Sequence, residues 1–181
     1  MPKKTKRAAK KPRRAPKLSP IPPGMRTVTP YLFIAGAAQA LEFYKKAFGA
    51  KEISRQPTPD GKLIHAMMKI GDSFVMMSDA FEETPTPTPP TAGAPTAMIH
   101  IYTRDVDRLW NQALAAGAKV SMPLDNVFWG ERHGQLEDPF GHRWTLSMRI
   151  PMSRQEREAK QKASMAMFAS GEHPGSEQQP R

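Results

Sequence analysis

The chain runs through one order of elements twice, and this repetition constrains its fold more than any other property. "TVTPYLFI" (27–34) is an extended apolar run rich in β-branched and aromatic residues, which reads as a strand. "AAQALEFYKKAFGA" then switches to a helical period: Leu41, Tyr44 and Phe48 fall on one stripe and Gly49 supplies the stop. Strands are expected near 51–55, 63–70 and 74–78, joined by the turns "TPDGK" and "IGDS". The Pro/Thr segment "ETPTPTPPTAGAPT" (83–96) cannot pair inside a sheet, because proline lacks the amide donor, so it reads as a linker.

Beyond the linker the order recurs. "AMIHIYT" (97–103) is a strand, and "DVDRLWNQALAAGA" a helix with Asp105 as N-cap and Val106, Leu109, Trp110, Ala113 and Leu114 on its apolar face. Strands follow near 118–122, 131–137 and 143–148. "FGAKEI" (48–53) closes the first helix as "AGAKVS" (116–121) closes the second, about seventy residues later. The expected fold class is therefore α+β, two tandem βαβββ modules. Ser153 and Glu156 have capping-box spacing and open a C-terminal helix, which Gly171 ends. The boundaries are a basic tail at 1–25, a body at 26–150 (module one 26–80, linker 81–96, module two 97–150), and a helix with a polar tail at 151–181.

Charge separates the tail from the body. Nine of the 27 Lys/Arg lie in residues 3–17 with no acid among them, and the remaining eighteen nearly balance seventeen Asp/Glu. Such a run can neutralise phosphates, so weak, sequence-blind, salt-dependent nucleic-acid binding is expected of residues 3–17, unless the tail is only a solvated terminus. No aromatic residue interleaves with it, which argues against stacking on single strands. The absence of cysteine excludes disulfides and thiolate zinc sites and fits a cytoplasmic location. No apolar run is long enough to span a bilayer, and the basic start lacks the apolar core of a secretory signal.

The strings "TPYL", "EFYKKAFGA", "HAMMKIGDS" and "FWGERHGQLEDPFGHRW", in this order within a duplicated βαβββ unit, resemble the vicinal oxygen chelate superfamily. This is the fold of glyoxalase I, the bleomycin-resistance proteins and extradiol dioxygenases, and the PhnB-like branch is the most similar. The resemblance implies a half-open eight-stranded barrel whose cup takes a small molecule, often over a divalent metal (Zn, Mn, Ni or Fe). It also implies a homodimer. The four ligand positions of the metal-using relatives fall here at Thr29, near Val75–Met77, at His100 and at Thr145. Of these only His100 is a ligand by residue type; glyoxalase I uses a ligating carboxylate as its base, and threonine stands in that place.

The candidate residues follow from both readings. Strand alternation places Met98, His100 and Tyr102 on one face and Ile99 and Ile101 on the other, so His100 faces the cup if the isoleucines face the helix. His100 then reads either as a ligand or as a strand histidine bonded to a neighbouring carbonyl. His65 stands where PhnB-like relatives look to carry a histidine, and His65 with His100 forms the candidate metal pair. Tyr31, Trp129, Arg132 and Trp144 are the candidate ligand contacts, with Trp129 an aromatic wall and Arg132 an anion clamp. The crowded "EDPFGH" reads as a type I turn, leaving Glu137, Asp138 and His142 solvated at a loop end. The methionines at 67, 68, 76, 77 and 98 read as walls of an adjustable apolar cup. Three functions stay open: a metal-dependent lyase, isomerase or dioxygenase, a metal-free binder of an aromatic or cationic compound, and a nucleic-acid-tethered module.

Overall fold

A computed structural model describes residues 19–81, 87–89 and 95–170. The basic run 3–17, most of the Pro/Thr linker and the tail beyond 170 lie outside the described residues. Module one is built from β1 (Tyr31–Ile34), α1 (Ala37–Phe48), β2 (Lys51–Pro57), β3 (Leu63–Ile70) and β4 (Ser73–Asp79). Module two repeats it with β5 (Met98–Tyr102), α2 (Val106–Ala116), β6 (Lys119–Val127), β7 (Glu131–Glu137) and β8 (Arg143–Arg149), and α3 (Arg154–Ser170) follows. The first strand is shorter than the apolar run suggested and begins only at Tyr31.

Each module makes a four-stranded sheet, ordered β1-β4-β3-β2 and β5-β8-β7-β6, in which the first strand pairs parallel to the last. The helix joining the first and second strands covers one face of its own sheet. On that face lie Ile34, Leu63, Ala66, Met68, Val75 and Met77 in module one, and Leu136, Trp144 and Leu146 in module two, all buried. Burial of this kind is worth about 25 cal/mol per Å² of apolar surface, which makes the two helix-covered faces the main source of stability. On the opposite faces exposure is uneven: Tyr31, Phe33 and Tyr102 are exposed while His133, Thr145 and Ser147 are buried, and the two sheets do not hydrogen-bond to each other among the described residues.

The modules meet along a seam between α1 and α2. Phe48 and Tyr44 pack on Trp144 with ring centroids 4.6 and 5.1 Å apart, and Phe43 meets Phe140 at 6.1 Å. Asp138 closes this seam. Its Oδ2 accepts from the Tyr44 hydroxyl at 2.7 Å and from Trp144 Nε1 at 2.9 Å, while Oδ1 accepts from the Phe140 and His142 amides, both at 2.9 Å. The expectation of a solvated Asp138 is thus corrected. The turn packs against α1 of the other module, and a carboxylate buried there is tolerated because both oxygens are saturated with donors. Burial, and then the Asp138 carboxylate, push the Tyr44 phenol well above its ordinary range.

Asp79 does comparable work inside module one. The N-cap position of α1 is Gly36, which has no side chain to offer, so Asp79 reaches from the end of β4 to accept from the Gly36 and Ala37 amides at 2.9 and 3.0 Å. Its second oxygen accepts from the Leu63 amide at 2.6 Å, tying helix, strand and sheet edge to one group.

His142 is the other polar group at the seam. Burial holds its imidazole below the ordinary value of 6.5 against the pull of Asp138 and a hydrogen bond with the Phe33 backbone, and its Nε2 has no partner among the described residues. The sign of the consequence is fixed. As pH falls below about 6.5 the unfolded chain takes up a proton that the folded one refuses, so stability drops until the depressed folded value is passed. Urea unfolding at pH 7.5 and 5.5 is expected to show this loss, and His142→Gln should shrink it. Glu52, held at about 2 by Arg55 and Lys45, titrates well below this window.

Candidate functional site

The open face of module two gathers the chemistry. Alternation along β5, β7 and β8 brings His100, Tyr102, Glu131, His133, Thr145 and Ser147 to one side, with His100 in register with Thr145 and His133 with Ser147. Ile99 and Ile101 do pack toward α2, and His100 is exposed. Glu131 is the anchor: Oε1 accepts from the Tyr102 hydroxyl at 2.9 Å and Oε2 from Trp129 Nε1 at 3.1 Å. Burial works against its charge, but the donated hydrogen bonds of Tyr102, Trp129 and Ser147 outweigh it and hold the carboxyl below its usual range.

Beside this carboxylate stands a histidine pair. The His100 and His133 rings are 5.9 Å apart, His133 Nδ1 shares a hydrogen bond of 2.8 Å with Ser147 Oγ, and the Trp129 ring meets His133 edge-on at 5.2 Å. Burial pushes the His133 imidazole down and the neighbouring His100 adds to this, with Glu131 opposing. The face therefore presents an ionised carboxylate and two imidazoles framed by Tyr102 and Trp129. His133 is not among the candidate contacts read from the sequence, although alternation along this strand already puts it on one face with Glu131, and Arg132 on the other.

Module one offers a plainer face. Tyr31, Phe33, His65, Met67 and Met76 share it, with Tyr31 Oη 3.4 Å from His65 Nδ1 and the Tyr31 and Phe33 rings 5.1 Å apart. Met68 and Met77 are instead fully buried under α1, so only part of the methionine set lines an open surface. Between the edge strands β1 and β5 runs a groove of about 840 Å³. It brings Tyr31 and His100 together over a floor that includes Phe48 and Leu109.

Other candidates fall elsewhere. Trp144 has no exposed surface: its ring fills the seam and its N–H is consumed by Asp138. Arg132 points to the helix side of β7, where Asp107 at the start of α2 holds its guanidinium through three contacts of 2.6–3.0 Å. An arginine so engaged is not a free anion clamp. His65 and His100 stand on different sheets, each with its own aromatic neighbours, Tyr31 for one and Tyr102 with His133 for the other.

The metal expected from the resemblance does not fit these residues. Thr29, the residues of the Val75–Met77 stretch and Thr145 are poor ligands at three of the four positions, and the Thr145 hydroxyl is directed at Met98 Sδ, 2.6 Å away. Among the described residues no three His, Asp or Glu side chains converge as a metal site.

Comparison with known proteins places this arrangement. The profile of the Glyoxalase/Bleomycin resistance protein/Dioxygenase superfamily matches residues 27–146. The Mycobacterium bovis protein Mb0911c is 41% identical over 126 residues, spanning 68% of this chain and 83% of its own length. Among solved structures, TioX from Micromonospora sp. ML1 is 26% identical with a TM-score of 0.55, covering 71% of this chain and all of TioX. The fosfomycin resistance protein FosX of Listeria monocytogenes, solved with Mn(II) and sulfate, shares the fold at 14% identity and a TM-score of 0.50, covering 74% of this chain and 97% of its own. The paired βαβββ modules and this match over most of the ordered body lead to one conclusion: the chain belongs to the glyoxalase/bleomycin resistance protein/dioxygenase superfamily.

Proposed function

We propose that this chain is a metal-free binding protein that holds a small cationic aromatic compound on the open face of module two. The observation that carries this reading is Glu131, an ionised carboxylate held by hydrogen bonds from Tyr102 and Trp129, both of which are more than a third exposed. A carboxylate among aromatic faces attracts a flat cation by charge and by cation–π contact, about 0.5–2 kcal/mol per ring. His100 and His133 supply further hydrogen-bonding edges, and burial biases His133 toward its neutral form, which does not repel a cation.

The other half of the cup is assigned to a second copy. Each chain leaves Tyr31, Phe33, Met98, Tyr102 and Trp129 more than a third exposed on the helix-free sides of its two sheets and at the turn after β6. Module one's aromatic face in one copy would roof module two's polar face in the other. Scattered exposed apolar residues are ordinary, but a set grouped on complementary faces marks an interaction surface.

Fluorescence titration with acridine orange, a planar cationic dye, tests the reading. Saturable binding is expected, weakened roughly tenfold or more by Glu131→Gln and by Trp129→Ala. Unchanged affinity in both variants would overturn it. Mass spectrometry of protein purified without chelator is expected to find far less than one equivalent of transition metal. One equivalent, lost in His100→Ala, would restore the metal enzyme in its place. Sedimentation velocity is expected to give a dimer.

A further inference from the structure

We infer that a second ligand site lies between α3 and module two and takes a small apolar molecule bearing one anionic group. A cavity of about 370 Å³ separates this helix from the sheet, within the usual range for small-molecule pockets. One wall is Met122, Pro123, Val127, Phe128 and Trp129, from the end of β6 and the turn after it. The other is the inward stripe of α3, Lys160, Ala163, Ser164 and Met167, spaced i, i+3, i+4, i+7.

The helix is fastened at one end and stands off at the other. Ile150 donates its amide to the Gly130 carbonyl at 3.0 Å, and the Arg157 guanidinium lies over Gly130, where an added Cβ would come within 3.3 Å of it. Ser153 and Glu156 form the reciprocal capping box, with the Ser153 amide donating to Glu156 at 2.8 Å and the Glu156 amide to the Ser153 hydroxyl at 3.2 Å. Beyond this first turn the inward positions carry small residues at 163 and 164, which are too short to reach the sheet. Met167 and Trp129 are each 42% exposed although both face the cavity. The gap follows directly from residue size.

Charge chooses the occupant. Lys160 is the cation on the cavity wall, and no carboxylate forms an ion pair with it within 4 Å among the described residues; Glu156, one turn before, feels its charge but takes its hydrogen bonds from Ser153. Asp125 stands on the facing strand, where its own carboxylate accepts from the Asn126 amide at 2.6 Å, and it turns an anionic group away from that wall. An apolar body between Phe128, Trp129 and Met167 with its anion on Lys160 satisfies both walls. This site is distinct from the open face, where the dominant charge is the Glu131 carboxylate; Trp129 borders both, offering its N–H to one and its ring to the other.

The test is a titration of the full chain with 1-naphthoate and with neutral 1-naphthalenemethanol, read by tryptophan fluorescence. Both are expected to bind, naphthoate more tightly. Lys160→Glu should weaken naphthoate at least tenfold while leaving the alcohol unchanged, and Ala163→Trp, which fills the gap from an exposed helix position, should abolish both. Lys162→Glu, with the same charge change off the inward stripe, should leave both as in the parent. Failure of naphthoate to bind, or equal loss in Lys160→Glu and Lys162→Glu, or undiminished binding in Ala163→Trp, would each overturn the proposal. Circular dichroism verifies that the variants fold. Acridine orange binding in Lys160→Glu reads the open-face site separately, so failure of one proposal leaves the other standing.

Discussion

Asp138→Ala is expected to lower stability by about 3 kcal/mol or more, because it strands the Tyr44 hydroxyl and the Trp144 N–H in a buried seam and frees two turn amides. For a chain of this size that corresponds to a fall in Tm of roughly 6–12 °C. Asp138→Asn should recover little, since its amide nitrogen would have to face donors on one side or the other. Glu137→Gln, the neighbouring half-exposed carboxylate, should stay within about 0.5 kcal/mol. Thermal and urea unfolding of the three variants decide the matter. Equal, small losses at 137 and 138 would mean that the seam is held by its aromatic rings alone.

Gly134→Ala is expected to cost about 2–3 kcal/mol, the upper part of the range for overpacking a core. An added Cβ would sit 2.6 and 2.8 Å from two atoms of the Trp110 ring and 2.9 Å from Leu124 Cα. The ring lies at the end of a side chain that can shift, but Leu124 is backbone on the adjoining strand and cannot yield without deforming the sheet. Trp110→Leu should therefore rescue the alanine variant only in part, with a coupling of about 1 kcal/mol in a double-mutant cycle. Full rescue would place the whole clash on the indole.

Much of this fold could be read from the sequence because its signals are local. Asp105 caps α2 by accepting from the Arg108 amide, Gly49 and Gly117 end their helices with positive φ, and Ser153 and Glu156 form their box, all within five residues of chain. The face of His100 followed from alternation, a period of two that survives folding. What failed was non-local. "EDPFGH" has the letters of a solvated turn, and nothing nearby in the chain says that Tyr44, ninety-four residues earlier, will bury it. Arg132 has the chemistry of an anion clamp, but Asp107, on another element, claims it. The linker and the basic tail lie outside the described residues, and the expectation of nucleic-acid binding there rests on composition.

The four hydrogen bonds of Asp138 also bear on cooperativity. Two of them shape its own turn in module two and one reaches module one, so the turn acquires its full set of partners only once α1 has docked. Two similar halves joined by a proline-rich linker could otherwise melt as separate units. A carboxylate shared in this way makes the local order of one half conditional on the other, and sharpens unfolding toward a single step. Hydrogen exchange would register it as one protection factor for the amides of Phe140 and His142 and those of α1, where an uncoupled pair of modules would show two.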